Sequence, residues 1–250
     1  MPEDSAPTSD WNTLFDELYL RTYAQLADPE TGPRMAEGVV RLAGLEPGAD
    51  LLDCPSGYGR HSVEFARLGM HVVGAERSEV LLAEARCLAG EGDWPRWVQA
   101  DYRELPFEDA TFDCVANLFS SLGYWGEEAD RLAIREFRRV LRPGGKLVIE
   151  TMHRDRLMWI YTPTSWQELP DGGLMIEKRT IDYERGLSVT RHELVEKDGT
   201  RKAVPYEMRV YTPTEWIGMA RDAGFEHVAC YGDFDETPLS RETRLVLVAS

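Results

Sequence analysis

Cysteine is scarce. The four residues Cys54, Cys87, Cys114 and Cys230 stand far apart in a chain of 250 and form no CxxC pair, so neither a disulfide framework nor a thiolate zinc site is indicated. A reducing, cytoplasmic setting suits that usage. Met1 to Asp10 is rich in Pro, Ser, Thr and acid but has neither the basic start nor the apolar run of a signal peptide, and it reads as a loose tail. No apolar stretch approaches the ~20 residues that cross a bilayer, which points to a soluble chain. Positive charge is also short. With 28 Lys and Arg against 44 Asp and Glu, the formal net charge is −16, which disfavours a phosphate backbone, and so nucleic acid, as a partner. The one basic run, Arg131, Arg135, Arg138, Arg139 and Arg142, has the spacing of a solvated helix face.

The length suits one α/β domain carrying an insertion. Apolar residues recur at helical spacing in Trp11–Leu26 and Arg34–Leu45, and Pro47-Gly48 then supplies a turn. Short β-rich runs next alternate with helical stretches: strands at Asp50–Asp53, His71–Ala75, Arg96–Ala100, Phe112–Asn117 and Lys146–Thr151, and helices at Tyr58–Leu68, Ser78–Ala89 and Glu127–Leu141. Such alternation predicts a doubly wound, mostly parallel sheet of seven strands with helices on both faces, a Rossmann-like α/β fold. After Thr151 the pattern changes. Leu174–Tyr183, Leu187–Glu196 and Ala203–Tyr211 read as extended runs joined by hairpin turns, an antiparallel β insert following strand five. A last helix, Thr214–Ala223 with Thr214 as N-cap, and strands His227–Tyr231 and Arg244–Ala249 complete the sheet. The expected division is a tail at 1–10, a cofactor-binding core at 11–152 plus 213–250, and at 153–212 an insert capping the substrate cleft. The hexapeptide Tyr161–Trp166 returns in near-identical form as Tyr211–Trp216, but the flanks differ, and it does not mark a repeat architecture.

In an open parallel sheet, ligands sit beyond the carboxyl ends of the strands. Those ends are polar here. Strand one ends at Asp53 and enters a Gly57-x-Gly59 turn that opens a helix, where backbone can approach a ligand. Strand two ends at Glu76, placed to accept the hydroxyl protons of a ribose. Strand three ends at Asp101-Tyr102, strand four at Asn117, and strand five runs to Thr151-Met152-His153. Each alone has a plain structural explanation, but in order on successive strand ends they describe a nucleoside-binding rim.

From Asp50 to Thr151 the chain resembles the class I S-adenosylmethionine-dependent methyltransferases of small-molecule type, with weaker similarity to the end. The resemblance rests on Leu51-Leu52-Asp53-Cys54-Pro55-Ser56-Gly57-Tyr58-Gly59, Val73-Gly74-Ala75-Glu76-Arg77-Ser78, Ala100-Asp101-Tyr102 with Arg103 to Phe107, Phe112-Asp113 with Asn117-Leu118-Phe119, Arg139 to Leu147, and Ala223-Gly224-Phe225. It implies S-adenosyl-L-methionine as cofactor, with Asp53, Gly57 and Gly59 beside the methionine part, Glu76 on the ribose, Arg77 next to it, Asp101 and Tyr102 at the adenine, and Asn117 and Leu118 at the methyl-transfer mouth. Where the family commonly has Gly-Cys-Gly-Thr-Gly, this chain has Pro55-Ser56-Gly57-Tyr58-Gly59, and Pro55 gives up a backbone donor.

Methyl transfer from a sulfonium is an in-line displacement, so the expected work of the enzyme is alignment and exclusion of water. A hydroxyl or protonated amine acceptor also calls for a base. His61, His153 and His192 are the histidines near the expected mouth, and His153 is the candidate catalytic residue. Tyr19, Tyr23 and Tyr124 are candidates for a cofactor lid or substrate wall, and Trp125, Trp159 and Trp166 for an apolar pocket. The expected partner is a small-molecule methyl acceptor, with the choice between O and N open and a homodimer compatible. Two rivals stand beside this reading. A NAD(P)-dependent oxidoreductase would call for GxGxxG, whereas Ser62 occupies the third glycine position. A non-catalytic nucleoside-binding regulator would keep the pocket without transfer.

Overall fold

The structure, a computed structural model, describes residues 14–24 and 28–250. The expected tail lies outside the described residues, as do Trp11 to Thr13, Gln25 and Leu26 of the expected first helix. What is described of that stretch is a short helix, Glu17–Tyr19, running into a π-helical turn, Leu20–Ala24. Helix α1 follows at Thr31–Ala43, with Met35, Ala36, Val39 and Ala43 on its buried face and Gly44 ending it in the left-handed conformation at φ 65°.

The chain then lays down β1 Asp50–Asp53, α2 Arg60–Arg67, β2 His71–Glu76, α3 Glu79–Ala89, β3 Arg96–Gln99, β4 Phe112–Asn117, α4 Glu127–Val140 and β5 Leu141–Thr151. After β5 come α5 Arg154–Trp159 and four strands, β6 Thr164–Glu168, β7 Leu174–Asp182, β8 Leu187–Val195 and β9 Arg201–Arg209, followed by α6 Pro213–Asp222, β10 Val228–Tyr231 and β11 Leu245–Ala249. The seven-stranded sheet has the order β10-β11-β5-β4-β1-β2-β3. Only β11 runs against its neighbours, β5 and β10. The expected Rossmann-like α/β sheet and antiparallel insert are thus both present. Strand order reverses at β1, which pairs with β2 on one side and β4 on the other, and a crevice opens at the carboxyl ends there.

Successive residues of the central strands go to opposite cores. Leu52, Val115, Leu147, Ile149 and Leu247 pack with Phe137 and Trp216 on one face, while Leu51, Cys114, Val148 and Val246 pack with Met35, Val39 and Phe65 on the other. Each such burial contributes about 1.5–3 kcal/mol, which is why these strands read as unbroken apolar runs.

Helix ends are set by short polar contacts. Ser78 caps α3 through Leu81, and Glu127, Glu128 and Asp130 at the start of α4 with Arg138 and Arg139 at its end complement the helix dipole. The N-cap of α6 is Thr212 rather than the expected Thr214, because Thr212 and Glu215 form a reciprocal capping box and Pro213 fits the first turn. The arginines of this run are not simply solvated, and the last of them lies in β5 rather than on the helix: Arg131 and Arg139 of α4 pair with Glu127 and Asp222 and with Glu136 and Asp109, and Arg142 of β5 pairs with Asp50 and Asp113.

The insert forms a separate four-stranded sheet, β6-β7-β8-β9, whose core of Leu169, Met175, Leu194, Val204 and Tyr206 is shared with Leu14 and Leu18. Strand β6 and helix α5 were not expected. Apart from half-buried Ser165, β6 exposes its residues, so it carries no alternation to read. Pro205 is tolerated in β9 because β9 is an edge. The four cysteines are free, and among the described residues no helix is long and apolar enough to cross a membrane.

Candidate active site

The carboxyl ends of β1, β2, β3 and β4 open onto a cavity of about 450 Å³, within the range of small-molecule sites. Of the residues expected at the rim, Gly57, Glu76, Arg77, Asp101, Tyr102 and Leu118 line it. Glu76 is the best anchored. Its Oε2 accepts the Gly57 N–H at 3.0 Å, and its Oε1 accepts those of Arg77 and Ser78 at 2.8 and 2.9 Å. Burial raises its pKa while these amides pull the other way. A carboxylate has about four acceptor positions, so roughly one is left for a ligand hydroxyl. Asp101 is gripped by Arg103, which donates from its backbone N–H, Nε and Nη2 at 2.9, 2.8 and 2.5 Å and holds the carboxyl below its usual range. The guanidinium carbons of Arg77 and Arg103 each lie 4.8 Å from the centre of the Trp125 ring, building a cationic and aromatic wall.

Four expected site residues do not line the cavity. Asp53 is fully buried and accepts from Ser62 Oγ at 2.6 Å. Burial lifts its pKa to about 7 against the opposing pull of Ser62 and Arg60. Asn117 donates to the Cys54 carbonyl at 2.8 Å, tying the end of β4 to that of β1. Gly59 is required by packing rather than by close approach of a ligand: at φ 84° a Cβ there would meet the Trp97 ring at 2.5 Å. Gly57 is the reverse case, lining the cavity at φ 56° with nothing within 4 Å of where its Cβ would stand. The expectation of a base at His153 is corrected. Its Nε2 lies 3.0 Å from the Thr243 carbonyl and 3.2 Å from that of Ser240, and the buried ring is a structural tie. His61 does line the cavity, and burial, then Arg60, lowers its pKa well below 6.5, leaving a neutral imidazole.

The insert closes the other side. Glu177 and Arg179 of β7, Ser188 and Thr190 of β8, and Tyr206 and Met208 of β9 line the same cavity, as do Tyr19, Tyr23 and Tyr124. Glu177 is the hub. Its Oε1 takes His192 Nε2 at 2.5 Å and Tyr23 OH at 3.2 Å, and its Oε2 takes Ser165 Oγ at 3.0 Å and the Arg179 guanidinium. Burial opposes ionisation of Glu177, but the His192 hydrogen bond, then the charges of His192 and Arg179, outweigh it and hold the carboxyl at about 2. Burial raises the Tyr23 phenol well above 10, so it keeps its proton. Trp159 and Trp166 are exposed and do not line this cavity.

Sequence reasoning missed Arg60, Phe119, Glu177, Arg179 and Arg244 as lining residues. For the insert a signal existed in the period of two, since 175, 177 and 179 of β7, and 188, 190 and 192 of β8, fall on one sheet face.

S-adenosylmethionine fits the rim. Ser56 Oγ and Tyr102 OH, both in the cavity wall, are buried without a protein partner, Gly57 leaves open space, and Glu76 keeps acceptor capacity. Residues 52–149 match a family model described as a methyltransferase domain. A ubiquinone/menaquinone biosynthesis C-methyltransferase of Klebsiella pneumoniae subsp. pneumoniae is 30% identical over 209 residues, 77% of this chain and 72% of that protein. The curated relatives are matched over part of their length, 56% in one case. Among solved structures, the CcbJ methyltransferase of Streptomyces caelestis superposes with a TM-score of 0.79 at 23% identity, covering 95% of this chain and 98% of that one. S-adenosylmethionine-bound CalS10, an amino pentose methyltransferase from Micromonospora echinaspora, gives 0.72 at 23% identity, covering 93% and 97%. The chain therefore belongs to the class I S-adenosylmethionine-dependent methyltransferases, which draw their methyl group from S-adenosyl-L-methionine.

Proposed function

We propose that the whole chain is a cytoplasmic enzyme that methylates a nitrogen or oxygen of a polar, hydroxyl-bearing small molecule held against the insert sheet, with nucleic acid excluded as substrate. The observation that carries this reading is the single cavity walled by the strand-end rim on one side and by Glu177, Arg179, Ser188 and Thr190 on the other. The division of labour follows: 11–152 with 213–250 binds the donor, and 153–212 caps the acceptor. S-adenosylmethionine supplies an electrophilic methyl on a sulfonium. Glu76 accepts from the ribose hydroxyls, Asp101 and Tyr102 face the adenine, and Leu118 borders the mouth. The acceptor's N–H or O–H turns toward ionised Glu177 and protonated Tyr23, which orient its lone pair, while Met175, Met208 and Leu157 keep water out. CalS10 acts on an amino pentose, and the insert lining offers hydrogen-bonding groups for such an acceptor. Family membership gives no support to a nicotinamide enzyme.

The test is release of S-adenosylhomocysteine with a panel of amino sugars, polyhydroxylated amines and a naphthoquinol, with the methyl located by mass spectrometry. N- or O-methylation of a polar acceptor is expected. Turnover confined to ring carbon of the naphthoquinol overturns the assignment, and no turnover with any acceptor revives the non-catalytic nucleoside-binding reading.

A further inference from the structure

Six aromatic side chains form a closed circuit on the insert side of the cavity. Phe15, Tyr19 and Tyr23 stand four residues apart on one side of the N-terminal helical segment, with ring centres 6.0 and 5.5 Å apart in turn. Tyr23 then meets His192 of β8 at 5.6 Å, and His192 meets Tyr206 of β9 at 5.2 Å. Tyr206 meets Tyr124 at 6.1 Å, and Tyr124 returns to Phe15 at 4.9 Å. All but His192 line the cavity. The N-terminal segment, the loop after β4 and the insert each supply part of the circuit, so only the folded chain closes it.

The shape and charge of this enclosure limit what it can hold. The planes of successive rings are turned by 33° to 87° and none is parallel to its neighbour, so the wall is rounded, unlike the flat slot that a planar acceptor calls for. Burial pushes the Tyr19 phenol up to about 12 and raises those of Tyr23, Tyr124 and Tyr206 as well. The four phenols therefore stay neutral, and what they offer is the negative face of the ring. The charged groups beside them are Glu177 and Arg179. Arg179 is turned to Oε2 of Glu177 and to Ser165, while Oε1 lies on the side of Tyr23 and His192, within the circuit. Several aromatic faces with a carboxylate oxygen at their edge make a host for an organic cation.

Methyl transfer moves a positive charge together with the carbon. The acceptor lone pair forms the new bond as the S–C bond breaks, S-adenosylhomocysteine leaves neutral, and the charge passes to the acceptor atom. An amine keeps that charge as an ammonium ion, whereas an alcohol loses its O–H proton to water and ends as a neutral ether. We propose that the circuit of Phe15, Tyr19, Tyr23, His192, Tyr206 and Tyr124 holds the acceptor nitrogen as it becomes an ammonium, and so selects an aliphatic amine over an alcohol. An amine that arrives protonated first gives one proton to water, which frees the lone pair, and regains its charge on transfer, where the ring faces stabilise it. The inference rests on the acceptor lying against the insert, as proposed above.

Calorimetry on the full chain saturated with S-adenosylhomocysteine tests it with two probes of one shape: choline, a quaternary ammonium, and 3,3-dimethylbutan-1-ol, its neutral carbon counterpart. Choline is expected to bind about tenfold more tightly, the scale of a desolvated cation against aromatic faces. Tyr124→Leu and Tyr19→Leu, checked for folding by circular dichroism, should each remove most of that preference, while Tyr124→Phe, which keeps the ring face, should stay within about twofold of wild type. Equal affinity for the two probes, or binding of neither, overturns the proposal, as does a naphthoquinol that binds where choline does not. A loss in Tyr124→Leu of preference for S-adenosylmethionine over S-adenosylhomocysteine, with choline unaffected, also overturns it and assigns the circuit to the sulfonium. A preference for choline that survives both leucine variants sets the cation elsewhere and defeats the reading of the insert as the acceptor side. Failure of S-adenosylhomocysteine to bind in the first titration defeats the donor reading instead.

Discussion

Asp53 and Glu177 are both buried carboxylates, one at the end of β1 behind the strand-end rim, the other on the insert face, yet their pKa values are displaced in opposite directions. Asp53 receives one hydroxyl, from Ser62, and has a second oxygen without a partner, and burial lifts it to about 7. Glu177 is surrounded by His192, Arg179, Ser165 and Tyr23 and is held at about 2. Partners, not depth, decide whether a buried acid ionises. The strand-end rim leaves polar capacity open in the cavity wall, at Ser56 and Tyr102, as suits the ligand of fixed structure proposed for it. The insert face has largely satisfied its hub residue internally, so an acceptor bound as proposed would exchange into an existing network.

The largest effect expected from breaking this contrast comes from Glu177→Gln. Removing the charge leaves Arg179 without its counter-ion, a change costing about 3 kcal/mol when a buried pair is broken. The Glu177 contribution is complete above the ordinary carboxyl value and is lost only as pH falls toward about 2, so the deficit should be constant from about pH 6 to 8. Urea melts measure it. Donor affinity should barely change, and a loss of S-adenosylhomocysteine binding without loss of stability would contradict the division between the halves.

Asp53→Asn should act in the other direction. Between about pH 4 and 7 the fold retains a proton on Asp53 that the unfolded chain has released, so stability falls as pH rises through that window and levels off above it. The amide removes the titration while still accepting from Ser62. The variant should gain about 2 kcal/mol at pH 8, or roughly 4–8 °C in Tm, and little at pH 4.5. Thermal scans of the ligand-free protein at the two pH values check this, and a pH-independent difference between variant and wild type would remove the basis of the comparison.

The two halves also differ in what the sequence discloses. The core strands bury both faces, and their apolar runs, glycine turns and capping residues place nearly every element and the order of the rim. Local pattern does not reveal which rim residues point inward. Asp53, Gly59 and Asn117 serve Ser62, Trp97 and the Cys54 carbonyl, partners distant enough in sequence to be invisible before folding. His153 looked catalytic because it ends β5, but the ring turns to carbonyls near residue 240. On the insert the hairpins were legible, whereas exposed β6 offered no periodicity, and the polar face of β7 and β8 reads as an ordinary solvated strand face until Tyr23 and Tyr124 are seen to cover it.

The smallest expected effect concerns the segment that joins the halves. Arg21 donates Nε to Asp171 at 2.6 Å and Nη1 and Nη2 to the two oxygens of Glu196 at 2.6 and 2.7 Å, tying the π-helical turn to the insert two residues before Tyr23 reaches His192 at 3.0 Å. The bidentate geometry favours order, but the carboxylates are substantially exposed and water screens them. Arg21→Ala should leave global stability nearly unchanged and raise the S-adenosylhomocysteine dissociation rate by only a few-fold at low ionic strength. The difference from wild type should shrink in 1 M salt, where the screening length is about 3 Å. Stopped-flow displacement at both salt concentrations reads this. A salt-independent change would mean that Arg21 acts through packing rather than charge, and a stability loss rivalling that of Glu177→Gln would make the N-terminal segment a structural part of the insert instead of a tether across it.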